Sequence, residues 1–325
     1  MKNKMLAISI TLLLFLIAFN GCIEEVPSFE SKTIYVDDEE KDYTSIQNAI
    51  DAANKGDTIY VYNGTYYENI VVNKTINLIG ASQEKTIINY DKSRYGQANI
   101  MIITANNCTI KGFRIINTIS LSEIMGINVK SSYNIISNNA ILNTTEGISI
   151  GAETKNNTVC FNSIVNNEFG IALRYSDNNN ISKNNISLNT FSGIYLKGAL
   201  SHNNIISWNA ISNNEYGMYL TGIANNKIFK NRVFNNIKQG MHFCCGAQGN
   251  IIYYNIFKGN SGGNAFYGVK GGRNQWDYGS VGNYWDEYRE KYPNAIEIDG
   301  IWNTPYNISG ETNQDNYPLV NPVNI

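Results

Sequence analysis

Two tyrosines and a histidine recur along the chain at nearly equal intervals. Tyr195, Tyr219 and His242 each occupy the third position of a short phrase that reads glycine, apolar, any residue, apolar, and Arg174 and Lys197 occupy the fifth position of two such phrases. Because alternate residues of a β-strand point to the same side, we expect these side chains on one outer face. Aromatic rings pack on sugar faces and cations attract the carboxylates of acidic glycans, so the pattern predicts a carbohydrate-binding surface. The alternative is a solvent-exposed cross-strand aromatic stack that binds nothing.

Carboxylates that could act on a polysaccharide are sparse in the same region. Glycoside hydrolysis uses two carboxyl groups roughly 5–9 Å apart, and the acidic residues here do not fall into one column. A lyase would need a basic residue beside acids, and Arg174 with Asp177 is the nearby catalytic candidate. Asp177 also lies in a Ser-Asp-Asn-Asn stretch that is typical of a turn. We expect binding without catalysis, with a polysaccharide lyase, hydrolase or epimerase as the alternative.

Soft metal ligands cluster in the segment Met241-His242-Phe243-Cys244-Cys245. Imidazole and thiolate groups suit copper, and sulfur ligands suit Cu(I) in particular. Strand alternation turns Met241 toward the core and turns His242 and Cys244 outward, which leaves two metal candidates. Ordinary packing, or a disulfide between the neighbouring cysteines, is the alternative.

The repeated phrase that carries these residues has a period of about 23 residues. Its glycines are Gly147, Gly170, Gly193, Gly217 and Gly240. An asparagine column has the same period: Asn139, Asn162, Asn184, Asn209, Asn231 and Asn255. Apolar residues alternate with polar ones inside each unit, which indicates three short strands per unit rather than a helix.

Such strands bury their apolar sides only if each unit forms one coil stacked on the last. We therefore predict an all-β fold, a single-stranded right-handed parallel β-helix of about nine to eleven coils over residues 33–272. Asparagine amides stacked at the strand spacing can hydrogen-bond from coil to coil. An amphipathic helix after Ser45, with Ile46, Ala49, Ile50 and Ala53 on one face, is expected to cover the N-terminal end.

The bulk composition agrees with a turn-rich, extracytoplasmic protein. The chain of 325 residues contains 52 Asn and 27 Gly, and its net charge of -2 gives no basic footprint for nucleic acid. Residues 1–22 read as a signal peptide that ends in a lipobox-like Asn-Gly-Cys, so lipidation of Cys22 is expected to anchor the protein at the cell surface. Residues 23–32 then form a polar tether. An uncleaved membrane anchor is the alternative.

Several segments resemble known β-helix proteins. The stretch Ser45 to Gly80 resembles the opening of pectate-lyase-like proteins, and the repeats resemble those of the NosD-like group, or carbohydrate-binding and sugar-hydrolysis domain. The Tyr/Trp-rich tail, residues 273–325, resembles that of archaeal surface members through Gly282-Asn283-Tyr284-Trp285-Asp286 and Asp315-Asn316-Tyr317-Pro318.

The resemblance implies an exported glycan-binding or envelope-polysaccharide-binding protein, with a periplasmic copper accessory role as a further possibility. Relatives often carry an Asp/Gly run before the Thr-Pro-Tyr of the tail. Here that stretch offers oxygen ligands at Glu297, Asp299 and Asn303 only, which puts a calcium loop in doubt.

Overall fold

The computed structural model describes residues 31–37, 41–93, 98–119, 123–199, 201–268, 272–310 and 312–324. Cys22 and the predicted signal peptide lie outside the described residues. From residue 33 onward the chain forms three long parallel sheets, which run side by side as the faces of one solenoid of about ten coils. The described part contains no helix long and apolar enough to cross a membrane.

Each coil between the two ends of the solenoid contributes one strand to each sheet, and the strands are numbered in chain order. Sheet 1 consists of β1 (Thr33–Val36), β2 (Thr58–Val61), β5 (Asn77–Gly80), β8 (Thr109–Lys111), β11 (Ile135–Ser137), β14 (Thr158–Cys160), β17 (Asn180–Ser182), β20 (Ile205–Ser207), β23 (Lys227–Phe229) and β26 (Ile251–Tyr253). Sheet 2 consists of β4 (Ile70–Val72), β7 (Asn99–Ile103), β10 (Met125–Val129), β13 (Glu146–Ile150), β16 (Phe169–Arg174), β19 (Ser192–Lys197), β22 (Tyr216–Thr221), β25 (Met241–Cys244) and β28 (Ala265–Tyr267). Sheet 3 consists of β3 (Gly64–Tyr67), β6 (Thr86–Asn89), β9 (Arg114–Ile116), β12 (Ala140–Leu142), β15 (Ser163–Val165), β18 (Asn185–Ser187), β21 (Ala210–Ser212), β24 (Arg232–Phe234), β27 (Ile256–Lys258) and β29 (Tyr284–Trp285).

The remaining elements are short. They are the helices α1 (Ile46–Ala52) and α2 (Tyr288–Lys291) and the hairpin strands β30 (Glu297–Ile298), β31 (Ile301–Trp302), β32 (Tyr306–Asn307) and β33 (Gln314–Asp315). Helix α1 begins at the N-cap Ser45, whose hydroxyl accepts a hydrogen bond from the Asn48 amide at 3.3 Å. It buries Ile46, Ala49 and Ile50 beside the first strands of sheets 1 and 2.

The core is a set of aliphatic columns in register from coil to coil. In sheet 1, for example, Ile136 pairs with Val159, which pairs with Ile181, and all three are fully buried. This arrangement confirms the predicted parallel β-helix, because a 23-residue unit buries its apolar side chains only against the units before and after it.

The repeated glycines are required because a side chain at these positions would collide with the next coil. None of the five glycines of the phrase has a positive φ. A Cβ on Gly170 would lie 2.4 Å from the Gly193 carbonyl oxygen and 2.6 Å from Cγ2 of the core residue Ile186. The glycine therefore faces the interior where sheet 2 begins, and a larger residue would push neighbouring coils apart.

Buried asparagines form ladders at all three corners where the chain passes between sheets. At the corner from sheet 1 to sheet 3, the backbone and side-chain amides of Asn162 both donate to Oδ1 of Asn184 in the next coil, each at 3.0 Å. The predicted column is confirmed as this ladder, and two more run parallel to it. The second contains Asn134, Asn157, Asn179, Asn204, Asn226, Asn250 and Asn274, and the third contains Asn167, Asn189, Asn214, Asn236 and Asn260.

The tail supplies acceptors for the last asparagine of two ladders. The Asn274 amide donates to Oδ1 of Asn313 at 2.9 Å, and the Asn283 amide donates to Oδ2 of Asp315 at 2.7 Å. Trp285 Nε1 also donates to that carboxyl group at 2.9 Å. Burial nevertheless raises the pKa of Asp315 to about 7. The tail thus continues the hydrogen-bond pattern of the coils and joins the end of the solenoid.

Candidate functional site

The predicted outward column lies on the outer face of sheet 2. Strand pairing brings Ala172 beside Tyr195, Tyr195 beside Tyr219, and Tyr219 beside His242. The rings of Tyr195 and Tyr219 are 6.0 Å apart, and those of Tyr219 and His242 stack at 4.7 Å with an interplanar angle of 8°. The parallel register produces this contact, since residues one coil apart in sequence become direct neighbours.

Four more rings complete this surface. Phe169 lies 5.1 Å from Tyr195, Phe191 lies 5.3 Å from Tyr219, Tyr216 lies 5.1 Å from Tyr219, and Phe266 lies 5.4 Å from His242. We call the whole set the aromatic surface: Phe169, Phe191, Tyr195, Tyr216, Tyr219, His242 and Phe266. Each ring is half-buried, because it contacts its neighbours and leaves one side open to solvent.

Sequence reasoning missed these four rings, and two physical reasons account for Phe169, Tyr216 and Phe266. Strand alternation counted back from the outward Ala172 places Gly170 outward and Phe169 inward, but Gly170 faces the core, so Phe169 points out. The same inversion applies to Tyr216 before Gly217. Phe266 lies 24 residues after His242 and pairs with it, although its coil lacks the glycine of the phrase. Aromatic spacing alone would have found Phe266.

Packing changes the protonation chemistry of the aromatic surface. Burial raises the pKa of Tyr219 to about 12 and lowers the pKa of His242 below its ordinary value. Nδ1 of His242 is buried and has no hydrogen-bond partner within the described part of the chain. The surface therefore presents neutral rings at neutral pH.

The cations beside the rings differ in whether they form an ion pair with a carboxylate. The guanidinium of Arg174 lies 5.2 Å from the Tyr195 ring centroid and forms an ion pair with Glu146 at 2.6 Å. Lys238 forms an ion pair with Glu215 and lies 5.1 Å from the Tyr216 ring centroid. Lys197, next to Arg174 across β16 and β19, is exposed. Of the predicted cations, Arg174 is neutralised by Glu146.

The catalytic candidate pair has other partners. Arg174 makes its ion pair with Glu146, while Oδ2 of Asp177 accepts a hydrogen bond from the Asn178 side chain at 2.8 Å and lies 3.9 Å from Nδ1 of His202. Asp177 sits in the turn after sheet 2, as its sequence context indicated. No proton-transfer role follows from this geometry.

The two copper candidates have different neighbours: the His242 ring packs against Tyr219 and Phe266, and Cys244 lies beside Cys245, which was not predicted as a ligand. Met241 is fully buried in the core, as expected, and the Sγ atoms of Cys244 and Cys245 lie 3.0 Å apart. Burial raises the pKa of Cys244, whereas hydrogen bonds from Cys244 and Thr221 lower the pKa of the exposed Cys245. The part of the chain that the structure describes contains no group of three His, Cys, Asp or Glu side chains able to hold a metal. Two thiolates match the ligand number of two-coordinate Cu(I) but not a closed site of three or four ligands, and a near-linear S–Cu–S unit would require the two Sγ atoms to move apart from 3.0 Å.

The calcium candidates in the tail are not assembled either. Glu297 and Asp299 are exposed on a hairpin, and Oδ1 of Asn303 accepts a hydrogen bond from the Ile296 amide at 2.9 Å. Calcium needs six or more oxygen ligands around one point, which these three positions do not provide.

Comparison with known proteins places this architecture in a family. A family model described as periplasmic copper-binding protein (NosD) matches residues 50–239 and 199–290. The chain belongs to the NosD family. Its description as periplasmic agrees with an extracytoplasmic location for this NosD-family chain, and its matched range covers the aromatic surface. No curated protein matches.

Solved structures share the fold of this NosD-family chain at low sequence identity. Pectate lyase Pel9A is 15% identical with a TM-score of 0.58, over 80% of this chain and 81% of that one. The DFA-IIIase from Arthrobacter chlorophenolicus A6, in complex with DFA-III, is 10% identical with a TM-score of 0.58, over 78% and 76%. XylC in complex with xylose is 12% identical with a TM-score of 0.50, over 89% and 73%. These likenesses show a pectate-lyase-like right-handed β-helix.

Proposed function

We propose that this NosD-family protein binds carbohydrate through the aromatic surface of sheet 2. The observation that supports this proposal is the continuous set of seven half-buried rings on the parallel sheet, with neighbouring centroids 4.7–6.3 Å apart. Sugar rings pack their C–H faces on such surfaces, and a sheet-borne platform loses little entropy on binding. XylC, which shares the fold, was solved with xylose.

The same proposal includes the cellular setting. Export through residues 1–22 and lipidation at Cys22 would hold the β-helix at the membrane surface. The ligand then is a glycan or polysaccharide of the cell envelope. Catalysis is not part of the proposal, because Arg174 is engaged by Glu146 and Asp177 lies in a turn.

A glycan-array screen of the purified protein tests the proposal. The Tyr195→Ala/Tyr219→Ala double variant removes the middle of the aromatic surface and should lose the signal. The matched control is Tyr35→Ala/Tyr60→Ala, which removes two neighbouring tyrosines, with centroids 6.1 Å apart, from sheet 1. Equal binding by all three proteins, or binding by none, would reject the aromatic surface as the site.

Copper binding is the second candidate, because two soft donors, the Sγ atoms of Cys244 and Cys245, lie 3.0 Å apart. Both thiols lose their protons when Cu(I) binds; the lowered pKa of Cys245 favours this step, and the raised pKa of Cys244 opposes it. Competition against a chromophoric Cu(I) chelator tests it. One equivalent held by the wild type and released by Cys244→Ser/Cys245→Ser supports copper binding. Identical titrations of the two proteins remove it.

A further inference from the structure

A second set of aromatic and cationic side chains lines the corner where the chain passes from sheet 1 to sheet 3. In five consecutive coils the corner residue is Phe161, Lys183, Trp208, Lys230 and Tyr254. Nζ of Lys183 lies 5.1 Å from the Phe161 ring centroid, and Nζ of Lys230 lies 4.6 Å from that of Trp208. We call this set the aromatic–lysine column.

The backbone conformation at these corner positions is energetically unfavourable for aromatic and lysine residues. Each member has a φ between 53° and 60°, in the left-handed region, where bulky side chains are disfavoured and asparagine or glycine is tolerated. The equivalent positions of the other two corners follow that preference. They are Asn143, Asn166, Leu188, Asn213, Asn235 and Gly259 at one corner, and Tyr133, Asn156, Asn178, Asn203, Asn225 and Gly249 at the other.

Five of six positions are asparagine or glycine at each of those corners, whereas Asn138 is the one asparagine at the corner that carries the column. A buried asparagine follows every one of these corner residues except Asn143, which precedes Thr144, so the ladder does not require the aromatic and lysine residues. Strained positions that persist without a structural benefit are characteristic of functional sites.

Packing does not explain the column either. Phe161 is 52% exposed and Trp208 is 37% exposed, and the rings of the column alternate with lysines and do not contact one another. Tyr254, at the end of the column, is half-buried and lies 5.8 Å from the Tyr253 ring. An exposed tryptophan in a costly backbone conformation points to a ligand.

The surroundings of the column are basic. A shallow groove of about 380 Å³ beside it is lined by Phe161, Lys183, Trp208 and Arg232, with neutral asparagines and an alanine and no carboxylate. Arg232 also borders the next groove toward the C-terminal end, which contains Lys258 and no acidic residue. The ligand that this charge favours is an anion.

The spacing selects an extended polymer. Successive coils are about 4.8 Å apart, so the rings of every second coil are separated by about 10 Å with a cation between them. An extended glycan chain repeats its sugar faces and its acidic groups on this scale. We propose that the aromatic–lysine column binds an anionic polysaccharide that runs parallel to the axis of the β-helix.

Single-stranded nucleic acid is the other polyanion that stacks on exposed rings. The location of the family outside the cytoplasm favours the glycan, and a nucleic acid arm in the experiment separates the two classes.

Affinity electrophoresis of the full chain measures binding in gels that contain polygalacturonate, dextran sulfate, neutral dextran or oligo(dT). The wild type is expected to be retarded by polygalacturonate or dextran sulfate, and the two gels distinguish carboxylated from sulfated chains. Neutral dextran should have no effect. Phe161→Asn/Trp208→Asn should weaken binding of the polyanion about tenfold or more, and Lys183→Gln/Lys230→Gln should also reduce its salt dependence.

Two controls keep the test specific. Leu188→Asn makes the same kind of substitution at an exposed left-handed position of a neighbouring corner, and it should bind as the wild type does. The Tyr195→Ala/Tyr219→Ala variant of the aromatic surface should also retain polyanion binding. Because this proposal does not depend on the aromatic surface, either site can fail while the other stands.

Three outcomes would overturn the proposal: no retardation of the wild type by either acidic polysaccharide, unchanged binding by the Phe161→Asn/Trp208→Asn variant, or retardation by oligo(dT) in preference to the glycans. Asparagine relieves the backbone strain at both positions, so this variant is expected to stay folded, and circular dichroism of the same sample checks that loss of binding is not loss of structure.

Discussion

The aromatic surface and the aromatic–lysine column use the same residue types on two different backbone geometries. On sheet 2 the rings stand on strands, where neighbouring coils bring them into contact, as in the 4.7 Å stack of Tyr219 on His242. At the corner the rings stand on left-handed residues and alternate with lysines, so that Phe161 and Trp208 are separated by a full coil. In the first arrangement the rings pack against one another, and in the second Phe161 and Trp208 are exposed to solvent.

The cations show the same difference. Arg174 on sheet 2 is held by Glu146 and Lys238 by Glu215, whereas the groove beside the column contains Lys183 and Arg232 without a carboxylate. An ion pair with a nearby carboxylate reduces the field available to a ligand. The comparison separates two kinds of surface: packed, uncharged rings suit the C–H face of a sugar, whereas separated rings beside cations without a carboxylate suit an anionic ligand.

The largest effect is expected where the column borders the asparagine ladder. Asn209 follows Trp208 directly, and its side chain donates to Asn231 Oδ1 at 3.0 Å and to the Ile181 carbonyl oxygen at 2.9 Å. Asn209→Ala leaves several buried partners unsatisfied and should lower the free energy of unfolding by about 3 kcal/mol or more. Trp208→Ala, one residue away, should change it by less than about 0.5 kcal/mol. Equal losses in urea denaturation would contradict a division between structural and exposed residues at this corner.

The next effect separates the two sets of rings. Phe191 is surrounded by Phe169 at 5.0 Å, Tyr219 at 5.3 Å and Tyr216 at 5.5 Å. Phe191→Ala should therefore lower the free energy of unfolding by about 2 kcal/mol, through lost ring contacts and lost burial. Phe161→Ala in the column serves as the matched control and should have little effect. If thermal denaturation gives the two variants the same stability, the aromatic surface is not packed as the ring distances indicate.

A smaller effect of opposite sign is expected when the column is changed to asparagine. Trp208→Asn keeps the left-handed conformation at lower cost and should raise the free energy of unfolding by about 1 kcal/mol. Leu188→Asn, at φ 58° on the neighbouring corner, should give a similar gain. A stabilised protein that no longer binds the polyanion would show that the column is maintained at the expense of stability. A destabilised Trp208→Asn protein would instead assign the tryptophan a structural role.

The sequence predicted the fold more fully than the sites because the fold repeats and the sites do not. The Gly and Asn columns recur in at least five coils, so the register of Tyr195, Tyr219 and His242 followed from spacing alone. Phe169 was not predicted as an outward ring because Gly170 faces the core, where there is no room for a Cβ. Simple strand alternation does not reveal this packing. The aromatic–lysine column was not predicted because the residues next to Phe161 and Trp208 do not indicate a positive φ. The sequence signal lay elsewhere, in the asparagines at the equivalent positions of the other two corners.

The smallest effect concerns the one histidine of the aromatic surface. Burial lowers the pKa of His242, so the folded protein favours the neutral ring and the unfolded chain takes up the proton first as the pH falls. The contribution of His242 is the difference in stability between the wild type and His242→Phe, which keeps a ring against Tyr219. This difference should be level above about pH 7 and should shift against the wild type as the pH falls through the ordinary histidine pKa of about 6.5 toward the lowered value. Asp315, whose pKa burial raises to about 7, titrates in the same range with the opposite sign, but it is present in both proteins and cancels in the difference. The aromatic–lysine column contains no histidine, so Trp208→Asn should leave the pH profile of stability unchanged in shape. A stability difference between the two proteins, wild type and His242→Phe, that does not change with pH would mean that the ring stacked on Tyr219 at 4.7 Å is not buried enough to lower the pKa of His242.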